Sequence, residues 1–173
     1  GSAAGFPATR LAAVVAPVEP PGGHRSRAYG PFAGDVADPE RSLWFWHYNT
    51  SKRGVVLDLD DPAGAEAFGR LVAGADVVIE AEPPGRLAAL GLDHADLRTE
   101  HPRLVWTSLT PFGRDNPRSA EHATDLTVLA GGGPVWSCGY DDHSIPPVRG
   151  GGNQGYQTGS LFAVMGTLTA LVA

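Results

Sequence analysis

Two adjacent cations, Lys52 and Arg53, stand directly before the apolar, strand-like run of residues 55–59. Positive charge at the end of a strand is suited to binding an anion, because the β-branched run gives rigid support and Gly54 lets a ligand approach the backbone closely. An arginine can meet a phosphate through two parallel hydrogen bonds, whereas a lysine acts as a point charge. The pair therefore predicts an anion site, with a solvated strand end as the alternative.

Further cations occur in a long irregular segment upstream, over residues 24–41. Long ordered loops often carry function, and this one contains Arg25 and Arg27. Arg25 and Arg27 are therefore further candidates for a functional site. For each of the four, the alternative is an ordinary surface cation.

Two clusters of titratable residues offer other chemistry. The run Asp141-Asp142-His143 has metal-ligand side chains, but neighbours in sequence usually point apart, so a solvated loop tip is the alternative. His122 and Asp125 could act as an acid–base pair only if the fold brings their side chains together. The sequence has no zinc-ligand spacing, and we expect no metal.

The glycine-rich stretches carry no standard nucleotide or nucleophile motif. The glycine triplets at residues 131–133 and 150–152 lack the Gly-x-Gly-x-x-Gly spacing of a dinucleotide-binding turn. The sequence also lacks a phosphate-loop lysine and the Gly-x-Ser-x-Gly of serine hydrolases. The aromatic run over residues 44–48 favours a core or interface over a base-stacking platform, because its surroundings are not basic.

Composition limits the class of protein. A chain of 173 residues with 42% apolar residues is long enough for one domain with a real core. A net charge of −6 argues against general binding to nucleic acids or anionic membranes, which requires a basic face. The single cysteine, Cys138, excludes an internal disulfide. Since neither a signal peptide nor a membrane-spanning run is evident, we expect a cytoplasmic protein.

The elements that must position these groups alternate between strands and helices. Apolar runs predict four strands, over residues 14–19, 55–59, 75–80 and 103–109. Asp61 as N-cap, Pro62 at the first helical position and Gly74 past the last turn predict a helix between the second and third strands. This arrangement gives a βαβ unit, right-handed by default, and the fourth strand closes a second unit.

The remaining helices complete an α/β fold. They are predicted over residues 5–16, 86–90, 93–100, 121–130 and 160–173. The last of them is apolar all round, which is typical of a buried helix. We predict a Rossmann-like, mostly parallel sheet with helices on both faces. Because the chain stops within that helix, we expect residues 1–173 to be the N-terminal part of a longer protein.

Short motifs follow one another along almost the whole chain. They are residues 18–23, 30–32, 49–59, 75–80, 84–85, 90–92, 102–105, 111–113, 125 and 146–147. In order and spacing they resemble the class III CoA-transferases, also called the CaiB/BaiF family. Each motif is weak alone, and their common order makes the resemblance specific.

The resemblance implies a Rossmann-like large domain that binds coenzyme A, in an enzyme that transfers CoA between an acyl-CoA and a carboxylate. The anion at Lys52, Arg53, Arg25 and Arg27 is then expected to be the phosphate groups of CoA. Family chains are about twice as long, and they dimerise as two interlocked rings. We therefore expect a homodimer, or a partnership with a second family domain, and neither nucleic acid nor membrane as a partner.

The resemblance breaks down at the reacting group. In family transferases an aspartate at the start of the helix corresponding to residues 160–173 attacks the thioester and then carries CoA. Counting back from Gly166 places that aspartate at Gly155 or Tyr156, and residues 152–159 contain no carboxylate. The catalytic residues are therefore left unassigned.

Two further departures concern positions that face CoA in the family. Ala81 stands where the family has an asparagine, and Ala89 where it has an arginine. Three functions stay open. One is a transferase whose site is completed by another chain or a C-terminal half, and another is a non-catalytic CoA-transferase-like scaffold or dimerisation module. The third resembles an α-methylacyl-CoA racemase, which would need an Asp/His acid–base pair.

Overall fold

A computed structural model describes residues 14–138, 140–142 and 144–173. The helix predicted over residues 5–16 lies outside the described residues except for its last three positions, which are not helical. His143 of the predicted metal triad also lies outside them.

The described strands pair in parallel. Strand β1 (Val18–Glu19) pairs with β2 (Val55–Val56), and β3 (Val77–Glu80) pairs with β4 (Val105–Ser108). The first ladder extends beyond its two-residue strands, because the N–H groups of residues 53, 55 and 57 donate to the carbonyls of residues 15, 17 and 19. The predicted parallel α/β class is confirmed.

The second predicted βαβ unit is confirmed by the parallel pairing of β3 with β4, whereas the first is not formed by neighbouring strands. Among the described residues β2 and β3 are not paired, since β2 lies against β1 and β3 against β4. The four strands therefore form two separate ladders. Apolar runs of this kind predict that strands exist, but their pairing is decided by contacts between residues far apart in the chain.

Seven α-helices are described, together with two short 3₁₀ turns at Arg25–Ala28 and Ala33–Asp35. The helices are α1 Leu43–Tyr48, α2 Pro62–Ala73, α3 Arg86–Ala89, α4 His94–Leu97, α5 Asp125–Gly131, α6 Pro134–Ser137 and α7 Gln154–Val172. The caps of α2 are as predicted, because Asp61 accepts the N–H of Ala63 at 2.9 Å and Gly74 follows the last turn. The aromatic run forms α1, capped by the Ser42 hydroxyl.

One apolar cluster joins the two ladders. Its buried members are Phe68 and Val72 from α2, Leu87 from α3, and Leu92. Side chains from both ladders pack against it, including Val18 and Trp106. Burying each large apolar side chain contributes about 1.5–3 kcal/mol, so this cluster fixes the ladders relative to each other.

The last helix, α7, begins at Gln154, earlier than the predicted start at residue 160. It docks on β4, where Thr107 Oγ1 and Thr167 Oγ1 are 2.6 Å apart. Only one face is buried, through Ser160, Ala163, Val164 and Thr167, whereas Phe162 on another face is 66% exposed. The prediction of a helix buried all round is therefore wrong for this chain, because α7 has apolar side chains on both a buried and an exposed face. Within the described residues, no helix combines the length and apolarity needed to cross a membrane.

Candidate functional site

The segment after α1 places Lys52 beside Asn49. Lys52 Nζ donates to Asn49 Oδ1 at 3.0 Å, and Asn49 Nδ2 donates to the carbonyl of Phe45 at 2.9 Å, so the segment folds back on α1. Burial lowers the pKa of Lys52 to about 8, because a half-buried ammonium group is poorly solvated. The cation is therefore present at neutral pH and is lost at mildly alkaline pH.

Arg53 is exposed, while its backbone is fixed. Its N–H donates to the carbonyl of Val15 at 3.1 Å, which continues the β1–β2 ladder. The ladder thus holds the backbone of the cation pair and leaves the Arg53 side chain to solvent.

Arg27 is held by acidic side chains of the protein itself. Its Nε and Nη2 donate to the two carboxylate oxygens of Glu19 at 2.7 and 3.0 Å, and its Nη1 donates to Glu40 at 3.0 Å. The guanidinium also lies 3.8 Å from the centre of the Phe45 ring. Hydrogen bonds from Arg27 lower the pKa of Glu19. Two carboxylates thus already offset this charge, whereas Arg25 in the same 3₁₀ turn is exposed.

The two cation-bearing segments meet at Glu19. A side-chain carbon at Gly54 would lie 3.5 Å from Glu19 Oε1, so the residue after Arg53 lies against the carboxylate that binds Arg27. The structure thus brings the segments of the predicted anion site into one region.

This region adjoins the start of α7. Gln157 Nε2 lies 3.5 Å from the Tyr48 hydroxyl on α1, and the same nitrogen donates to the carbonyl of Gly152 at 2.9 Å. The segment that carries Lys52 therefore neighbours the glycine-rich approach to α7, where the family resemblance places the reacting group.

Asp125 from α5 organises the first turn of α7. Its carboxylate is only 7% exposed, with Oδ1 accepting the N–H of Gly155 at 2.8 Å and Oδ2 accepting from Arg149 Nη1 at 3.0 Å. The helix has no local side-chain cap, because Asn153 is left-handed with φ 53° and makes no capping bond. The distant carboxylate thus satisfies one of the unpaired N–H groups of the helix start.

Packing decides which of the two alternative nucleophile positions can present a side chain. A side-chain carbon at Gly155 would lie 3.0 Å from Asp125 Oδ1 and 3.4 Å from Val128 Cγ1, a space too tight for a larger group. Tyr156, by contrast, is 51% exposed. Position 156 is therefore the one that faces outward. It holds a phenol where the resemblance expects a carboxylate.

Among the described residues, the other candidate clusters do not form a site. Asp142 Oδ1 accepts from the N–H and hydroxyl of Ser144 at 2.9 and 2.7 Å, as in a turn. Within the part of the chain that the structure describes, no group of His, Cys, Asp and Glu could hold a metal ion. His122 is exposed, whereas Asp125 is buried and binds Gly155 and Arg149.

A second cluster, which the sequence did not reveal, lies at the carboxyl ends of β3 and β4. Arg114 Nη2 donates to Asp93 Oδ2 at 2.7 Å, and Arg114 Nη1 is 4.0 Å from Glu80 Oε1. The Arg114 hydrogen bond lowers the pKa of Asp93. Together with Glu82 and Pro84 they border a shallow depression. Ligands of α/β proteins bind at this edge, and only the preceding motif at residues 111–113 pointed to Arg114.

These features define an α/β protein with parallel strands and a cation-bearing segment beside the start of its last helix. The family model described as CoA-transferase family III matches residues 8–173. The chain belongs to CoA-transferase family III.

The chain is also similar to individual CoA-transferases and to solved structures of the family. The chain is 40% identical over 161 residues to the succinyl-CoA:(R)-benzylsuccinate CoA-transferase subunit BbsE of Thauera aromatica, covering 93% of this chain and 39% of that protein. It is 35% identical over 167 residues to acetyl-CoA:oxalate CoA-transferase of Acetobacter aceti, covering 95% of this chain and 41% of that protein. A crystal structure of a CaiB/BaiF family protein from Brucella suis matches with a TM-score of 0.87 and 29% identity, over 99% of this chain and 45% of that one. The chain thus spans about two fifths of the length of these curated relatives.

Proposed function

We propose that this chain forms the CoA-binding part of a transferase that moves CoA between an acyl-CoA and a carboxylate. The observation that carries the proposal is the family match over residues 8–173. In keeping with it, the names of the relatives pair succinyl-CoA with benzylsuccinate and acetyl-CoA with oxalate. Because the chain spans about two fifths of those proteins, the activity is proposed for the complete protein.

The phosphate groups of CoA are proposed to bind at Lys52 and Arg53, with Arg25 and Arg27 contributing. Lys52 is fixed by Asn49, and Arg53 and Arg25 are exposed. Arg27 contributes less, because Glu19 and Glu40 offset its charge. A carboxylate-lined edge at Glu80 and Asp93 would repel phosphate, which favours the Lys52 side for the charged end of CoA.

The nucleophile is proposed to come from a different family domain. The start of α7 offers Gly155 and Tyr156 but no carboxylate, and both oxygens of Asp125 already accept hydrogen bonds. A symmetric homodimer would place the same Gly155 and Tyr156 in both copies. One relative is itself described as a subunit, which supports an assembly in which a second, non-identical domain carries the reacting aspartate.

The test is CoA exchange by the complete protein with its companion domain. The protein is incubated with succinyl-CoA and isotope-labelled acetate, oxalate or glutarate, and label entering the acyl-CoA pool is measured by chromatography. The proposal expects labelled acyl-CoA from at least one acceptor, and a Lys52→Met variant should transfer more slowly at low CoA-ester concentration. Absence of exchange with all acceptors, in a protein that is folded and complete, would contradict it.

A second candidate is a non-catalytic CoA-binding module, which the lack of a carboxylate at residues 152–159 favours. Such a module would be stabilised by CoA, since a ligand that binds only the folded state raises its stability as its concentration passes the Kd. Thermal stabilisation by millimolar CoA without any exchange would select this function. Exchange by the complete protein would exclude it.

A further inference from the structure

The start of α7 depends on residues that lie far from it in sequence. Asp125 is 30 residues before Gly155 and 24 before Arg149, yet its buried carboxylate binds both. The approach to the helix contains three consecutive glycines at residues 150–152, and Gly152 and Asn153 adopt left-handed backbone conformations with φ 86° and 53°.

The electrostatics of this contact are favourable. A negative charge at a helix N-terminus is stabilised by the helix dipole, and both hydrogen bonds to the carboxylate are with N–H donors, one of them cationic. Arg149 offsets the buried charge, while its side chain remains 42% exposed. Removing one member would leave the other without its partner, so the two act together.

The close packing at Gly155 fixes the orientation of the first turn of α7. Gly155 is pressed against Asp125 and Val128, and the next residue, Tyr156, therefore faces away from α5. A shift of the first turn would change where position 156 points. The carboxylate thus sets both the location and the rotation of the helix start.

We propose that Asp125 and Arg149 form a latch that fixes residues 149–155 and so positions the outward face of α7 at residue 156 beside the acyl end of the bound CoA ester, where this face orients the ester for the aspartate of the companion domain. The inference rests on the proposed function for its second half. Asp125 and Arg149 are positioning residues, and neither needs to touch the substrate.

The test uses three variants of the intact protein. Arg149→Met removes the charge partner, and Asp125→Asn keeps an oxygen that can accept the Gly155 N–H but removes the charge. Arg118→Met is the matched control, because Arg118 forms a similar but exposed pair with Glu121 close to α5. Backbone hydrogen exchange is followed by mass spectrometry in residues 149–157 and, as an internal reference, in α2. If the latch exists, the rate of hydrogen exchange in residues 149–157 should rise at least tenfold in Arg149→Met and Asp125→Asn but not in Arg118→Met, and the rate in α2 should not change.

The kinetic part separates positioning from simple stability. In the complete transferase, Arg149→Met should lower kcat at least tenfold and change KM for the acyl-CoA less than twofold, and Arg149→Lys should recover part of kcat. Unchanged exchange at residues 149–157, or an equal rise in α2, would overturn the latch. Loosened exchange with kcat unaffected would overturn its positioning role. If the unmodified protein shows no transfer at all, the proposed function fails, and the exchange measurement alone still decides whether the latch exists.

Discussion

Glu19 Oε2 lies 2.7 Å from Arg27 Nε, and Glu19 Oε1 lies 3.0 Å from Arg27 Nη2, so one buried carboxylate holds the guanidinium at two points. The pair ties the end of β1 to the 3₁₀ turn that carries Arg25. It also lies beside Gly54, next to the predicted CoA-binding cations. The region around the proposed phosphate site is therefore organised by an ion pair inside the protein.

Glu19→Ala should lower the free energy of unfolding by about 3 kcal/mol, because it leaves the mostly buried Arg27 without its main counter-charge. Chemical denaturation measures the effect. Glu121→Ala, which breaks the exposed pair with Arg118, is the control and should have no measurable effect. Equal small effects of the two substitutions would contradict a structural role for Glu19.

The Glu19 pair also predicts a dependence on pH. The pKa of Glu19 is lowered from 4.5 by the Arg27 hydrogen bonds, so its stabilisation is full above the unfolded value and is lost as pH falls through the folded value. The stability difference between the unmodified protein and Glu19→Gln should therefore shrink in acid, below about pH 4. Denaturation curves collected from pH 7 to pH 3 check this, and a difference that does not change with pH would contradict it.

Lys52 predicts that CoA affinity falls in mildly alkaline solution. Burial lowers its pKa from 10.5 to about 8, so Lys52 of the free protein becomes mostly neutral above that pH. Binding of a CoA phosphate then requires that Lys52 take up a proton. The Kd for CoA should rise by up to about tenfold per pH unit above pH 8. Lys52→Arg, whose guanidinium stays protonated, should remove most of the dependence. Titration calorimetry from pH 7 to 9.5 measures it, and parallel curves for the two proteins would exclude Lys52 as a phosphate ligand.

The packing of the α7 start predicts a difference between positions 155 and 156. Tyr156→Asp places a carboxylate on the exposed side of the helix and, on the proposed function, should allow a covalent thioester with CoA to form after incubation with an acyl-CoA. Gly155→Asp should not, because its side chain would press on Asp125 and Val128. Intact-protein mass spectrometry with hydroxylamine treatment detects the adduct. An adduct on Gly155→Asp alone would show that the side of the helix is assigned wrongly.

Two glycines in α2 should respond in opposite directions. A side-chain carbon at Gly64 would overlap the backbone oxygen of Asp58, whereas one at Gly69 would meet nothing within 4 Å. Gly64→Ala should therefore destabilise the protein by about 2 kcal/mol, and Gly69→Ala should stabilise it by about 0.5–1 kcal/mol. Thermal and chemical unfolding of both variants provide the test. Equal effects would mean that the close approach of α2 to Asp58 is not present in solution.

The local signals in the sequence were the reliable ones. Asp61, Pro62 and Gly74 define the ends of α2 through contacts within a few residues, and the structure confirms both ends. The start of α7 was predicted too late, because its capping carboxylate is on Asp125 and no nearby residue supplies it. The sequence did not predict that Arg27 binds acidic side chains, because Glu19 and Glu40 lie 8 and 13 residues away in the chain.

The sequence by itself determined the family, through the order of short motifs, and the class of fold, through apolar runs and helix caps that act locally. It also determined that no carboxylate stands at residues 152–159. Only the tertiary structure decided that position 156 faces outward and position 155 does not, and that Asp125 serves the helix start. These outcomes depend on the packing of α7 against α5, in which the buried carboxylate of Asp125 accepts the N–H of a residue 30 positions later in the chain. No local sequence pattern predicts such a contact.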